Sequence, residues 1–296
     1  MTKDSLGDVL IIGAGAIGGV TGLVMYQNNI DVCLVNRKSE HFEKVKNDGL
    51  LIEGDEKPVK VPIYPSVKNA DKKYKHILVT VKNNNTEEVM KEIKHVLSDE
   101  SLVYSMQNGF GNTDIMTKYI PQDQVIAGVV GWGASKIAPG VIRITSSAGD
   151  YIMGFEHKKS TDDKRLHEIQ KWLNLWRRAT VTDNILGFRW SKLIVNSVIA
   201  PCGGLFGYSL GELMQNKRTR KTLMQLKDEG IQIADAHKIK LEKVDNLNVR
   251  SFLYQSHPKD GAFKRLKNKT ISAIVTRIGV KRHGKIRSSL LWDLER

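Results

Sequence analysis

Six consecutive residues, Gly13-Ala14-Gly15-Ala16-Ile17-Gly18, fit the spacing G-x-G-x-x-G, and the chemistry this spacing permits is the cradling of a pyrophosphate. The first glycine allows a tight turn after a strand, the second lets a phosphate approach the backbone, and the third lets helix and strand pack closely. Free N–H groups at the start of the helix, and the positive end of its dipole, would face the anion. Alone the spacing is weak. It gains force from the apolar run at 9–12 before it and the small-residue helix expected at 16–28 after it. All six residues are therefore candidate cofactor contacts, the alternative being a glycine turn packed for structure only.

The strand expected at 31–35 ends in Asn36-Arg37-Lys38. An NAD site normally has Asp or Glu here to hold the ribose 2′-hydroxyl, whereas a basic residue suits the 2′-phosphate of NADP. A charge-assisted contact of roughly 1.5 to 3 kcal/mol favours the phosphorylated cofactor by about ten- to a hundredfold. This makes NADPH the expected cofactor and Arg37 its 2′-phosphate contact, against the alternative of a solvated basic pair. A second place is the helix expected at 185–199, where Lys192 and Asn196 share one face among Leu193, Ile194, Val195 and Val198. Burying an ammonium there is costly. Facing a cleft, Lys192 could protonate a carbonyl oxygen as hydride arrives, with Asn196 holding the substrate. Taken alone, the spacing fits a snorkelling surface lysine better.

These residues need elements to position them. Strands are expected at 9–12, 31–35, 76–81, 102–105 and 125–130, alternating with helices at 16–28 and 87–97, which is the pattern of a parallel, doubly wound sheet. Strands at 141–145 and 151–155, beside a Pro139-Gly140 turn, read as its antiparallel edge. Thr161 is the expected cap of a helix carrying Leu166, Ile169, Leu173 and Trp176. Beyond 182 the pattern is helical, at 185–199, 216–237 and onward. The fold class is thus α/β: an N-terminal Rossmann-type doubly wound sheet at 1–183, then an all-helical second domain at 184–296.

The chain has 296 residues and a formal charge of +14, which favours anionic partners. It lacks the aromatic, zinc-finger or helix-turn-helix patterns of a nucleic-acid module, so none is expected. Cys33 and Cys202 are too few for a disulfide framework and lack metal-ligand spacing. A reducing compartment, the cytoplasm, and no metal are the expectation. Residues 9–26 are uncharged and carry GxxxG spacings at Gly15/Gly19 and Gly18/Gly22, a membrane-dimer signature. Five glycines in that run, and Asp4 and Asp8 before it, argue against a membrane span or signal peptide.

In order and spacing, several motifs together resemble the ketopantoate reductase family, enzymes that reduce 2-dehydropantoate to pantoate with NADPH on the route to coenzyme A. They are the glycine motif, Val81-Lys82, Gln107-Asn108-Gly109-Phe110-Gly111, Pro139-Gly140, Trp190-Ser191-Lys192-Leu193 with Asn196, Gly211-Glu212-Leu213, and Ser288-Ser289 with Asp293. The resemblance implies Lys192 as proton donor, Asn196 and Ser289 as substrate contacts, and Asn108 beside both nicotinamide and substrate. It implies Lys82, Arg37 and Ala134 as cofactor contacts, a small 2-keto acid as substrate, and leaves a homodimer open. Local alternatives are a turn asparagine at 108, a helix cap at 289 and a solvated strand end at 82.

Two departures bear on the substrate: Ala200 and Leu210 stand where the family usually has asparagines. A site with fewer hydrogen bonds discriminates less, so a related 2-keto acid is an alternative substrate. Other readings are a β-hydroxyacid or glycerol-phosphate type dehydrogenase, and a non-catalytic NADPH-binding regulatory protein. The family's glutamate, twelve residues after the second serine, would fall beyond Arg296, and the expectation is a fragment of a longer protein.

Overall fold

The structure, a computed structural model, describes residues 6–146, 149–244, 247–251 and 261–284. It divides into two compact units, Met1–Ile185 and Leu186–Arg296.

The first unit begins β1 (Gly7–Ile12), α1 (Ala16–Gln27), β2 (Val32–Val35), α2 (Glu40–Asp48), β3 (Leu51–Ile52), β4 (Ile63–Tyr64), β5 (Tyr74–Val79) and α3 (Thr86–Glu92). It continues with β6 (Leu102–Ser105), α4 (Asn112–Met116), β7 (Val125–Val130), β8 (Gly133–Ala138), β9 (Val141–Ser146), β10 (Tyr151–Phe155), α5 (Lys164–Leu173) and β11 (Ala179–Val181). Eight strands form one sheet in the order β11-β10-β7-β6-β5-β1-β2-β4. From β4 to β7 all neighbours are parallel, β10 is antiparallel to β7, and β11 runs parallel to β10. β1 is central, with Val9 beside Val32 on one side and His76 on the other.

Side chains alternate across a strand, and β1 fills cores on both faces: Val9 and Ile11 join one apolar cluster, Leu10 and Ile12 the other. This explains an uninterrupted apolar run where a one-sided strand would alternate. Each such side chain contributes roughly 1.5 to 3 kcal/mol on burial. The glycines of α1 serve the same packing. A Cβ at Gly22 would lie 2.5 Å from Leu34 Cδ2, and one at Gly19 would lie 2.7 Å from Ile142 Cδ1, so the GxxxG face is spent against the unit's own sheets. No described helix is long and apolar enough to cross a membrane.

Three local expectations are corrected. The 141–145 strand does not edge the main sheet: β9 pairs antiparallel with β8 and parallel with β3 in a separate three-stranded sheet, and only β10 joins the main one. The helix cap is Asp163, not Thr161, its carboxylate accepting from the Arg165 N–H at 2.9 Å while also pairing with the Arg165 guanidinium. A carboxylate is the stronger acceptor at a helix N-terminus. The strand expected at 76–81 ends at Val79, which leaves Lys82 in the loop beyond it.

The second unit holds α6 (Ile185–Phe206), α7 (Leu210–Gln215), α8 (Lys217–Ala236) and α9 (Ala262–His283). Helix α6 was expected to stop at residue 199 but runs on through Pro201. Proline ordinarily costs a helix its i→i−4 bond. Here Val198 and Cys202, either side of that proline, are buried together with Leu213, Met214 and Leu223, and this packing outweighs the local preference. Closer to its start, Ile194 of α6 is packed with Ile231 and Val249. Asn216 caps α8, its side chain accepting from the Arg218 and Thr219 N–H groups.

Candidate active site

Chain order reverses at β1, which has β2 and β4 on one side and β5, β6 and β7 on the other. In open α/β sheets ligands bind beyond the carboxyl ends of the strands at such a switch point. The turn after β1 and the first turn of α1 carry Gly13 to Gly18, and the loops after β2, β5 and β6 carry Arg37, Lys82 and Asn108, all at that edge.

The three motif glycines are constrained differently. Gly13 has φ +109°, and a Cβ there would lie 2.9 Å from the Thr80 backbone and Oγ1. A Cβ at Gly18 would lie 2.3 Å from the Gly13 carbonyl oxygen. Beside Gly15 there is nothing within 4 Å. The protein's own packing thus demands glycine at 13 and 18 but not at 15, and the open space at Gly15 is where a bound pyrophosphate would approach. Gly15 is also the N-cap of α1 and offers no side-chain cap, so the first-turn N–H groups keep their capacity for an anion. Ala14 is fully buried in the core, whereas Ala16 and Ile17 are half-buried on the first turn.

Arg37 and Lys38 follow β2, both exposed, and neither forms an ion pair among the described residues. Asn36 braces their turn, donating from Nδ2 to the Arg37 carbonyl at 3.0 Å. These residues fit an NADP 2′-phosphate. Ala134, at the start of β8, packs against the same cluster that contains Ala14.

Lys82 and Asn108 are exposed and sit on loops tied together from beneath. Gln107, 9% exposed, donates from Nε2 to the Val81 carbonyl at 3.0 Å and to Thr86 Oγ1 at 2.8 Å, and its Oε1 accepts from Ser105 Oγ at 3.1 Å. Thr86 Oγ1 in turn donates to Asn112 Oδ1 at 3.0 Å. Above this network Asn83 Nδ2 donates to the Asn108 carbonyl at 2.9 Å. Thr80 Oγ1 donates to the Gly13 carbonyl at 2.7 Å, joining the β5 loop to the glycine loop. Thr80, Asn83, Thr86, Gln107 and Asn112 were not among the sequence candidates. Only Gln107 lies within one of the motifs that resemble the family, and nothing in its spacing signals that it is a brace.

In the second unit Lys192 and Asn196 are half-buried and four residues apart on α6. The neighbouring face is buried: Ser191 Oγ accepts from the Glu242 N–H at 3.1 Å, and Gly230 of α8 approaches Ile194 so closely that a Cβ would lie 2.9 Å from its Cγ1. Gly211-Glu212-Leu213 is structural. Glu212 forms a capping box with Ser209, and Gly211 touches the Gly284 backbone. Ala200 is half-buried on α6, and Leu210, also half-buried, opens α7. Ser289 lies outside the described residues, as do Ser288 and Asp293.

Two segments match family descriptions: residues 9–156 match "Ketopantoate reductase PanE/ApbA" and residues 184–296 its C-terminal part. The chain is 25% identical over 236 residues to a 2-dehydropantoate 2-reductase of Streptococcus pyogenes serotype M3, covering 79% of this chain and 76% of the relative. It is 29% identical over 235 residues to the 2-dehydropantoate 2-reductase of Pyrococcus horikoshii, covering 79% and 75%. In fold it is similar to D-mandelate dehydrogenase in a ternary structure with NADH and anilino(oxo)acetate, with TM-score 0.78 and 21% identity over 97% of this chain and 85% of the other. With both family segments matched in order, the chain belongs to the ketopantoate reductase PanE/ApbA family, oxidoreductases of the CH–OH class that use a nicotinamide dinucleotide.

Proposed function

We propose that the chain is an NADPH-dependent reductase of a small 2-keto acid, with 2-dehydropantoate, reduced to pantoate, as its substrate. The observation that carries the reading is the glycine loop. Its middle glycine is required by nothing in the protein and lies beside an uncapped helix N-terminus, in a chain with the family's reductase segments.

Residues 1–183 then serve as the cofactor domain and 184–296 as the substrate domain. The 13–18 loop holds the pyrophosphate through Gly13, Ala14, Gly15, Ala16, Ile17 and Gly18, and Arg37 the 2′-phosphate. Lys82, Asn108 and Ala134 contact the rest of the cofactor. When bound, the reduced nicotinamide supplies hydride to the keto carbon. Lys192 delivers a proton to the carbonyl oxygen as negative charge develops there. Asn108, Asn196 and Ser289 hold the keto acid in place.

A second reading is favoured by Ala200 and Leu210, two apolar positions where polar substrate contacts are usual in the family. Together with the fold likeness to D-mandelate dehydrogenase, they support a reductase of a related, more apolar 2-keto acid. Initial rates of NADPH consumption across a panel of 2-keto acids separate the two. The highest kcat/KM is expected for 2-dehydropantoate. A higher value for a bulky apolar 2-keto acid moves the assignment to the second reading, and saturable NADPH binding without consumption on any panel member contradicts both.

A further inference from the structure

His41 sits in the first turn of α2, only 4% exposed, with both ring nitrogens engaged. The Gly140 backbone N–H donates to its Nδ1 at 3.0 Å. Nδ1 is therefore the bare nitrogen. Nε2, 2.7 Å from the Ala14 carbonyl oxygen, carries the proton, because a carbonyl only accepts. The ring is neutral: burial holds its pKa below the ordinary value, the Ala14 bond draws it part of the way back, and the Lys136 ammonium on β8 lowers it again.

Both partners are themselves tethered. Ala14 belongs to the glycine loop, and its N–H donates to the Val35 carbonyl at the end of β2 at 3.1 Å. Gly140 closes the turn between β8 and β9, and its carbonyl accepts from the Leu51 N–H of β3 at 2.8 Å. The Lys44 stem presses on this turn, its Cγ 2.8 Å from where a Gly140 Cβ would lie. A peptide unit is planar and trans, so its C=O and N–H point in opposite directions. Holding the Ala14 carbonyl therefore sets the direction of the Gly15 N–H, the donor at the cap of α1.

We propose that His41 is a positioning residue for the dinucleotide: as the Nε2–H tautomer it fixes the Ala14-Gly15 peptide plane, presetting the Gly15 N–H for a phosphate oxygen, and bolts that plane to the Pro139-Gly140 turn. The proposal rests on the 13–18 loop being the pyrophosphate site. It gives the Pro139-Gly140 motif a task, as the fixed point against which the histidine is held.

Three variants of the full chain separate the two bonds. His41→Gln keeps a donor near the ε position for Ala14, His41→Asn keeps an acceptor near the δ position for Gly140, and His41→Leu keeps neither. Fluorescence titration at pH 8 should find NADPH binding weakened about tenfold in the Leu and Asn variants and within about threefold of wild type in the Gln variant. Adenosine 2′-phosphate, which has no pyrophosphate, should bind all three as it binds wild type. NADPH affinities that equal wild type throughout, or that follow the variants' melting temperatures, overturn the proposal and leave the dinucleotide site standing. Failure of the wild-type chain to bind NADPH overturns both. A readout without cofactor is the ¹⁵N spectrum of histidine-labelled protein at pH 7, where His41 should be the neutral Nε2–H tautomer. A charged or Nδ1–H ring contradicts the assignment.

Discussion

In the proposed function two side chains separate binding from chemistry, Arg37 just after β2 and Lys192 on α6. Arg37 is exposed and pairs with no acid among the described residues, so its guanidinium remains available to a phosphate. Replacing it with alanine should cut the preference for NADPH over NADH by about tenfold or more, the value of one lost charge-assisted contact. Titration with both cofactors checks this, and an unchanged ratio would remove Arg37 from the site. Lys192→Ala should lower turnover by at least about a hundredfold, the lower end of what general acid catalysis supplies, with NADPH affinity near wild type. Near-normal turnover would remove Lys192 from the role of proton donor.

At the scale of elements, the β1-loop-α1 unit makes a prediction that contrasts two glycines of one motif. Gly18→Ala drives a methyl to 2.3 Å from the Gly13 carbonyl and should cost about 1–3 kcal/mol of stability, as overpacking does. Gly15→Ala meets nothing within 4 Å and should leave the melting temperature almost unchanged, while weakening NADPH binding about tenfold or more by filling the phosphate's approach. Equal loss of stability in both variants would mean that Gly15 is a packing glycine. The contrast also marks what a one-dimensional reading reaches. The positive φ at Gly13 and the close approach of Gly18 to the Gly13 carbonyl are local, set by a strand, a turn and a helix adjacent in the chain, and they were legible, whereas the contact of Gly13 with Thr80 joins loops distant in sequence. So was the placement of Lys192 and Asn196, because helical spacing alone puts them on one face of α6. The desertion of β9 to a small sheet with β3 was not, since β3 has only two residues and pairs with a strand some ninety positions away. Likewise the Gln107 brace and the His41 bonds join loops distant in sequence, and no local spacing encodes them.

For the molecule as a whole, two buried histidines tie stability to pH. His76 lies between Tyr104 Oη at 3.0 Å and Glu168 Oε2 at 3.2 Å, with Trp172 edge-on to its ring. Burial lowers its pKa, and Glu168 raises it only in part. His41 is lowered chiefly by burial as well. A histidine held neutral in the fold binds its proton more readily when unfolded. Its contribution is therefore complete above the ordinary value of 6.5 and is lost as pH falls from there through the folded pKa. The melting temperature should be level above about pH 7 and decline as pH falls below about 6.5. The decline sets in above the range in which Asp163 and Asp235, both held below the ordinary carboxylate value by their arginine partners, begin to protonate. A melting temperature flat from pH 7.5 to 5 would contradict the neutral assignment of both rings. The chain as a whole is proposed to work as a 2-dehydropantoate reductase. Its most direct test is to incubate the chain with NADPH and 2-dehydropantoate and to measure cofactor and product together. Pantoate should form mole for mole with NADP, and both should be lost in Lys192→Ala. Saturable NADPH binding with neither NADP nor pantoate produced would contradict it and leave a dinucleotide-binding protein without this chemistry.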